Sequence, residues 1–213
     1  MSRTPEQFKV TEEEILDVSL KHFSMHGYEG TNLNDIANEL NITRTPIYYY
    51  FNNKLGLYES VTKRHLLSKK AQYTSIFTSD LPFFEKVRKD LLVSSHLRLS
   101  EQVLFAGIDT NPKLTEARDI QNQVMREIHE MKTENIRKAV ADKILRPDTD
   151  VEQFMIYFYV ISLGIEAVDK QTEYEITEER MDKLVDTVLD GIISKYTVSY
   201  THLRAHETRH DLV

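Results

Sequence analysis

The chain has no cysteine, six glycines and five prolines among its 213 residues. Without cysteine there is no disulfide framework and no thiolate chemistry, which is compatible with a reducing cytoplasm. So little glycine and proline leaves few residues for the turns of a β-rich protein, and the natural reading is an all-α chain. The N-terminus, Met-Ser-Arg-Thr-Pro-Glu, lacks the apolar core of a signal peptide. The longest nearly uncharged apolar run, Phe154 to Ile165, is too short to span a bilayer. A cytoplasmic location without a membrane partner is expected.

Catalytic signatures are missing as well. There is no glycine-rich phosphate loop and no nucleophile elbow. A helical carboxylate-bridged metalloenzyme places Glu three residues before His on facing helices. None of His22, His26, His65, His96 and His129 has a Glu there. No catalytic residue, metal ligand or cofactor is expected; His22 and His26 read as surface or cap residues.

What the chain does have is a core-forming composition, 40% hydrophobic and 29% charged. One stretch, residues 31–54, reads as two short helices joined by a tight turn. Leu33, Ile36, Ala37 and Leu40 form an apolar stripe at helical spacing, with Thr31 placed to cap it. Asn41 stands where the first helix stops and tolerates the left-handed conformation a C-terminal cap needs. Ile42 is placed to plug the space between the helices. Thr43 is expected to cap a second helix from Arg44 to Phe51, with Pro46 in its first turn, where a missing N–H costs little. That helix displays Arg44, Thr45, Tyr48 and Tyr49, with Lys54 just beyond, a surface suited to a DNA groove. Taken alone, an ordinary helical hairpin with half-buried tyrosines accounts for it too.

The net charge of −7 argues against nucleic acid, but its distribution does not. Between Asn41 and Lys70 stand Arg44, Lys54, Lys63, Arg64, Lys69 and Lys70 against the single acid Glu59. Screening limits distant acids to a reach of about 10 Å, so a local basic patch suffices for phosphate attraction.

Gly27-Tyr28, Thr31, Ile36-Ala37, Ile42-Thr43 and Ile47-Tyr48-Tyr49-Tyr50-Phe51, followed by Lys54 and Leu57, resemble the N-terminal domain of TetR-family transcriptional regulators over about residues 12–58. The chain departs from the family at Asn41, where Gly is usual, at Thr45, often a small residue, and at Pro46 before the tyrosine run. The last two lie on the expected reading surface and bear on the operator sequence. The resemblance implies that Thr31, Thr43, Tyr48 and Lys54 hold phosphates. Arg44 is the candidate for a base edge, and Thr45, Pro46 and Tyr49 approach bases or thymine methyls.

Around this stretch the sequence predicts more helices. Thr11-Glu12-Glu13-Glu14 is a capping box opening a helix that ends near His26-Gly27. A long helix from near Leu57 to about Phe77 is a candidate lever. A helix from Pro82 to about Leu99, a short one from Glu101 to Ile108 and a long one from Leu114 to about Leu145 follow. Asp150 caps a helix apolar nearly all round, expected to be buried on both sides, one against the domain core and the other against a second subunit. The final helix, Glu178 to Lys195, repeats apolar residues at three-four spacing. Together these last two, about residues 150–169 and 178–195, suit a four-helix homodimer interface; a monomeric bundle is the alternative.

The expected architecture is a three-helix helix-turn-helix DNA-binding domain, residues 1–56, and a larger helical ligand-binding and dimerisation domain, 57–196. Residues 197–213 form a tail. From about Val198 it looks like translated adapter or vector read-through, with the native C-terminus expected to be missing or replaced after about Tyr196, so its regularly spaced histidines are set aside. The function expected is a homodimeric repressor on a pseudo-palindromic double-stranded DNA operator, released by a small-molecule effector. The effector pocket is expected among Phe77, Phe84, His96, Phe105, Gln123, His129, Phe158 and Tyr159. The alternatives are a helical protein-interaction module without specific DNA binding and a helical metalloenzyme.

Overall fold

The computed structural model describes residues 10–96, 98–171 and 177–197, apart from the side chains of 95–96, 98–100 and 165–171. The tail from 198 onward and the side chain of His96 therefore lie outside the described residues. Nine α-helices are present among the described residues: α1 (Glu12–Gly30), α2 (Leu33–Glu39), α3 (Thr45–Phe51), α4 (Lys54–Phe77), α5 (Phe83–His96), α6 (Arg98–Leu104), α7 (Thr115–Ala141), α8 (Val151–Gln171) and α9 (Glu178–Tyr196). A 3-10 turn, Pro112–Leu114, precedes α7. The all-α expectation holds.

The helix ends follow local chemistry. The capping box at α1 forms in full, the Thr11 hydroxyl accepting from the Glu14 N–H and the Glu14 carboxylate accepting from the Thr11 N–H. Asp150 caps α8 through the Gln153 N–H at 3.0 Å, and Thr177 caps α9. Other ends differ from expectation. α4 begins at Lys54, three residues before Leu57, because Asn53 accepts the Gly56 N–H at 3.0 Å and starts the helix early. α7 stops at Ala141, short of the Arg146-Pro147 break: Lys143 takes φ 59° and the Ile144 and Leu145 N–H groups turn back onto the Ala139 carbonyl.

Two compact units result, and they interleave in sequence where two consecutive segments, 1–56 and 57–196, were expected. The first takes the described residues of Met1–Ala71 and Leu97–Glu127, the second those of Gln72–His96 and Ile128–Val213. The first unit gains α6 because Gly27 lets it approach α1. At φ 66° a side chain is strained, and a Cβ there would lie 3.2 Å from the Val103 carbonyl oxygen. Tyr58, fully buried on α4, donates to the Leu104 carbonyl at 2.8 Å and packs edge-on against Phe23 and Tyr28. Burial raises its phenol pKa, so it stays a donor. In the second unit, Phe83, Leu91, Phe154, Phe158, Val185 and Ile192 form the centre of the core. There α8 is buried along one side only, through Phe154, Met155 and Phe158, while Ile156, Tyr157, Val160 and Leu163 are exposed. The side expected to meet the domain core is buried, and the side expected to meet a second subunit is the one exposed in the single chain.

Candidate nucleic-acid interface

The turn between α2 and α3 is built by Asn41. It adopts φ 53°; its N–H bonds the Asn38 carbonyl at 3.0 Å, and the next N–H, of Ile42, reaches back to the Ala37 carbonyl at 2.9 Å. These two bonds are the Schellman arrangement, which satisfies the last carbonyls of α2. Ile42 packs against the core of the unit as expected. At the other end of α3, Asn52 takes φ 63° and Gly56 makes the corner into α4, where a Cβ would collide with the Phe51 carbonyl oxygen. Ile47 and Phe51 bury the inner side of α3. Its outer side is thus fixed in orientation at both ends.

On that outer side stand Arg44, Thr45, Tyr48 and Tyr49, all exposed, the tyrosines 42% and 41% accessible. The Arg44 guanidinium lies 5.8 Å from the Tyr48 ring centre, a cation–π contact that extends it along the helix surface. Tyr49 is set edge-on against Tyr50. A cation, a hydroxyl and two phenols on one rigid face can donate to phosphates and base edges.

Four expected members have other engagements or positions. Thr31 is the C-terminal cap of α1, and Asn32 caps α2 by accepting from the Asn34 N–H. Thr31 is buried and its hydroxyl donates to the Gly27 carbonyl at 2.7 Å, so its proton is engaged inside the fold. It positions the hairpin. Pro46 is buried, as is Ile47, rather than on the exposed face of α3. Thr43 is exposed but caps nothing: α3 begins at Thr45, with Arg44 at the cap position and no side-chain cap bond. Lys54 donates to the Glu29 carbonyl at 3.1 Å and lies 4.8 Å from the Tyr28 ring centre. Its partial burial lowers its pKa, Glu29 opposing and Lys113 adding to the shift.

The basic patch is thinner than its sequence count. Arg64 pairs with Glu13 and Asp17, Lys69 with Glu101, and Lys70 with Glu127. Acids from α1, α6 and α7 neutralise cations whose partners are distant in sequence, which is why a linear count misses them. Among the described residues, Arg44 and Lys63 enter none of the ion pairs.

The expected effector residues are divided between the two units. Phe105 and Gln123 belong to the first unit, Phe105 beside His65 and Gln123 exposed and bonded to Glu127. In the second unit a cavity of about 10 Å³ is lined by Phe77 and Phe158, with Phe83, Phe154 and Met155. Phe84 is buried against Phe83 and does not line it. His129 stacks on Tyr159 and shares a 3.1 Å hydrogen bond with its hydroxyl, both partly open to solvent. Burial and the charge of Asp90 raise the Tyr159 pKa. Sequence reading missed Asp90 and Lys132, which meet in this core at 2.8 Å. A helical period that puts a Lys and an Asp on otherwise apolar faces was the available signal.

A surface-reading helix locked behind a Schellman turn and a glycine corner defines a helix-turn-helix protein. Residues 15–61 match the model of bacterial regulatory proteins, tetR family. The chain is 37% identical over 59 residues to the probable acrEF/envCD operon repressor of Escherichia coli K12, a match covering 28% of this chain and 27% of that protein. Solved structures extend the likeness in fold to most of the chain. The regulator FadR from Bacillus subtilis, in complex with stearoyl-CoA, has TM-score 0.64 at 16% identity, covering 86% of this chain and 98% of that one. A transcriptional regulator from Saccharomonospora viridis, in complex with choline, has TM-score 0.68 at 16% identity, covering 84% and 94%. At such identity these show a shared all-α fold. No described helix is long and apolar enough to cross a membrane.

Proposed function

We propose that this protein is a cytoplasmic, homodimeric repressor that binds a pseudo-palindromic operator through α3 and leaves it when a small molecule binds the second unit. The observation that carries the reading is the exposed face of α3, Arg44, Thr45, Tyr48 and Tyr49, held rigid by Asn41 and Gly56. Arg44 reads a base edge, Thr45 and Tyr49 approach bases, and Tyr48, Thr43 and Lys54 contact phosphate. The domain division is functional: DNA binding in the first unit, effector binding and dimerisation in the second.

Dimerisation uses α8 and α9. Ile156, Val160 and Leu163 recur at helical spacing with 54%, 61% and 58% of their surface exposed, an aliphatic stripe that a second copy covers. Gly164 and Gly191, with nothing within 4 Å of a notional Cβ, allow close approach on the same two helices. An effector that binds one spacing of the reading helices better than another lowers operator affinity by that difference. The similar folds bind an acyl-CoA in one case and choline in another, so fold likeness alone leaves the effector's charge open.

The test is selection of the full chain against a random duplex pool at two salt concentrations. Enrichment of an inverted repeat, with affinity that falls as salt rises, is expected. A folded dimer that enriches no sequence and retains no duplex at low salt contradicts the reading and favours a protein-interaction module.

A further inference from the structure

In the second unit, Lys132 on α7 and Asp90 on α5 form an ion pair whose side chains are only 7% and 2% exposed. Withdrawing both charges from water costs more than a well-packed apolar pair would, so such a pair is a poor device for stability alone. The Lys132 ammonium also lies 4.6 Å from the ring centre of Tyr73, 5.2 Å from Phe158 and 5.9 Å from Tyr159. One carboxylate and three ring faces around a single ammonium are the chemistry that recognises organic cations. The cage adjoins the small apolar cavity walled by Phe77, Phe83 and Phe154.

The two partners differ in their ability to leave. Asp90 is short and almost wholly enclosed, with the Ser94 hydroxyl 3.5 Å from its carboxylate. Lys132 has a flexible four-carbon stem and can carry its charge out to water, and Tyr159, at the edge of the cage, is 39% exposed. An anion drawn in by Lys132 meets the carboxylate of Asp90, a like charge that cannot withdraw. A cation that replaces the Lys132 ammonium leaves the core with the same charges as before, and the departing side chain vacates volume.

We propose that Asp90, Tyr73, Phe158 and Tyr159 form a binding site for an organic ammonium with an apolar body, and that Lys132 occupies it as an intrachain stand-in which the ligand displaces. The assignment rests on the reading of this unit as the effector domain, but its test needs no DNA. Calorimetry and thermal shift of the full chain with benzyltrimethylammonium are compared with phenylacetate, an anion of similar apolar size. The wild type is expected to bind the cation and not the anion. Lys132→Met removes the competitor and tightens cation binding at least tenfold. Tyr159→Leu, at a partly exposed position, weakens cation binding several-fold and keeps the site testable if Lys132→Met does not fold. Phenylacetate binding that Lys132→Met abolishes overturns the proposal, as does the absence of cation binding in the wild type. Operator affinity measured on the same samples separates the two readings. Cation binding without any operator affinity contradicts the regulator, whereas operator affinity without cation binding contradicts this site alone.

Discussion

Two faces of this molecule hold large side chains out in water, and their chemistry differs. On α3 the exposed residues are Tyr48 and Tyr49 beside Arg44 and Thr45, each ending in a hydroxyl or a guanidinium. On α8 a stripe of Ile156, Val160 and Leu163 ends in methyl groups, with Tyr157 and Tyr159 exposed beside it. Exposure is similar, but the partners implied are not. A face of polar tips on a rigid helix suits a charged, hydrogen-bonding partner, and a bare aliphatic stripe suits another apolar stripe. Under the proposed function, the face that reads DNA and the face that pairs two chains are separate.

The largest effect is expected from placing a charge in the α8 stripe. Val160→Asp puts two unpaired carboxylates at a symmetric interface and weakens association by about 4 kcal/mol, roughly a thousandfold. Sedimentation velocity should then show a monomer with an unchanged helical spectrum. A variant that still sediments as a dimer places the interface elsewhere.

On the other face, Arg44→Ala should cost about 1–3 kcal/mol on the selected operator and relax the preference at one base position per half-site. Unaltered preference in a repeat selection removes Arg44 from the base-reading role. Lys54→Ala is expected to act more weakly and without regard to sequence, lowering the slope of log affinity against log salt by about 1 per site. An unchanged slope means that Lys54 serves only its internal bonds to Glu29 and Tyr28.

The smallest effect on DNA, but a distinct one on stability, is expected at Glu101. Its carboxylate is held by His65 at 2.8 Å and Lys69 at 2.6 Å. Burial pushes its pKa up, but these two partners outweigh burial and hold it below the ordinary value of 4.5. A depressed folded-state pKa stabilises above the unfolded value and loses that contribution as pH falls through the folded one. Urea melts of Glu101→Gln should therefore show a deficit near pH 7 that shrinks as the pH is lowered below 4.5. A deficit constant across that range contradicts a charged role.

The parts legible in the sequence were those governed by neighbours in the chain. The capping box at Thr11, the left-handed Asn41, the plug at Ile42 and the all-α class all follow from short-range periodicity and cap chemistry. The tyrosines of α3 were readable as exposed because Ile47 and Phe51 take the inner positions. What was not legible depends on tertiary partners. Thr31 and Pro46 look like surface residues until α1 and the core claim them. The basic patch looks strong until Glu13, Asp17, Glu101 and Glu127 arrive from other helices. The eight aromatic and polar residues expected around an effector carried no period that could assign them to one cavity, and the Lys132–Asp90 pair joins residues 42 apart in the chain.

Paired α3 helices reading one operator are best tested by a footprint of the full-length wild type on its selected site, with the number of bound chains weighed at the same time. Two chains per site, protecting two half-sites related by a dyad about 34 Å or a multiple of it apart, are expected. One chain per site, or protection with no symmetry, would contradict a dimer that reads DNA through both of its α3 helices.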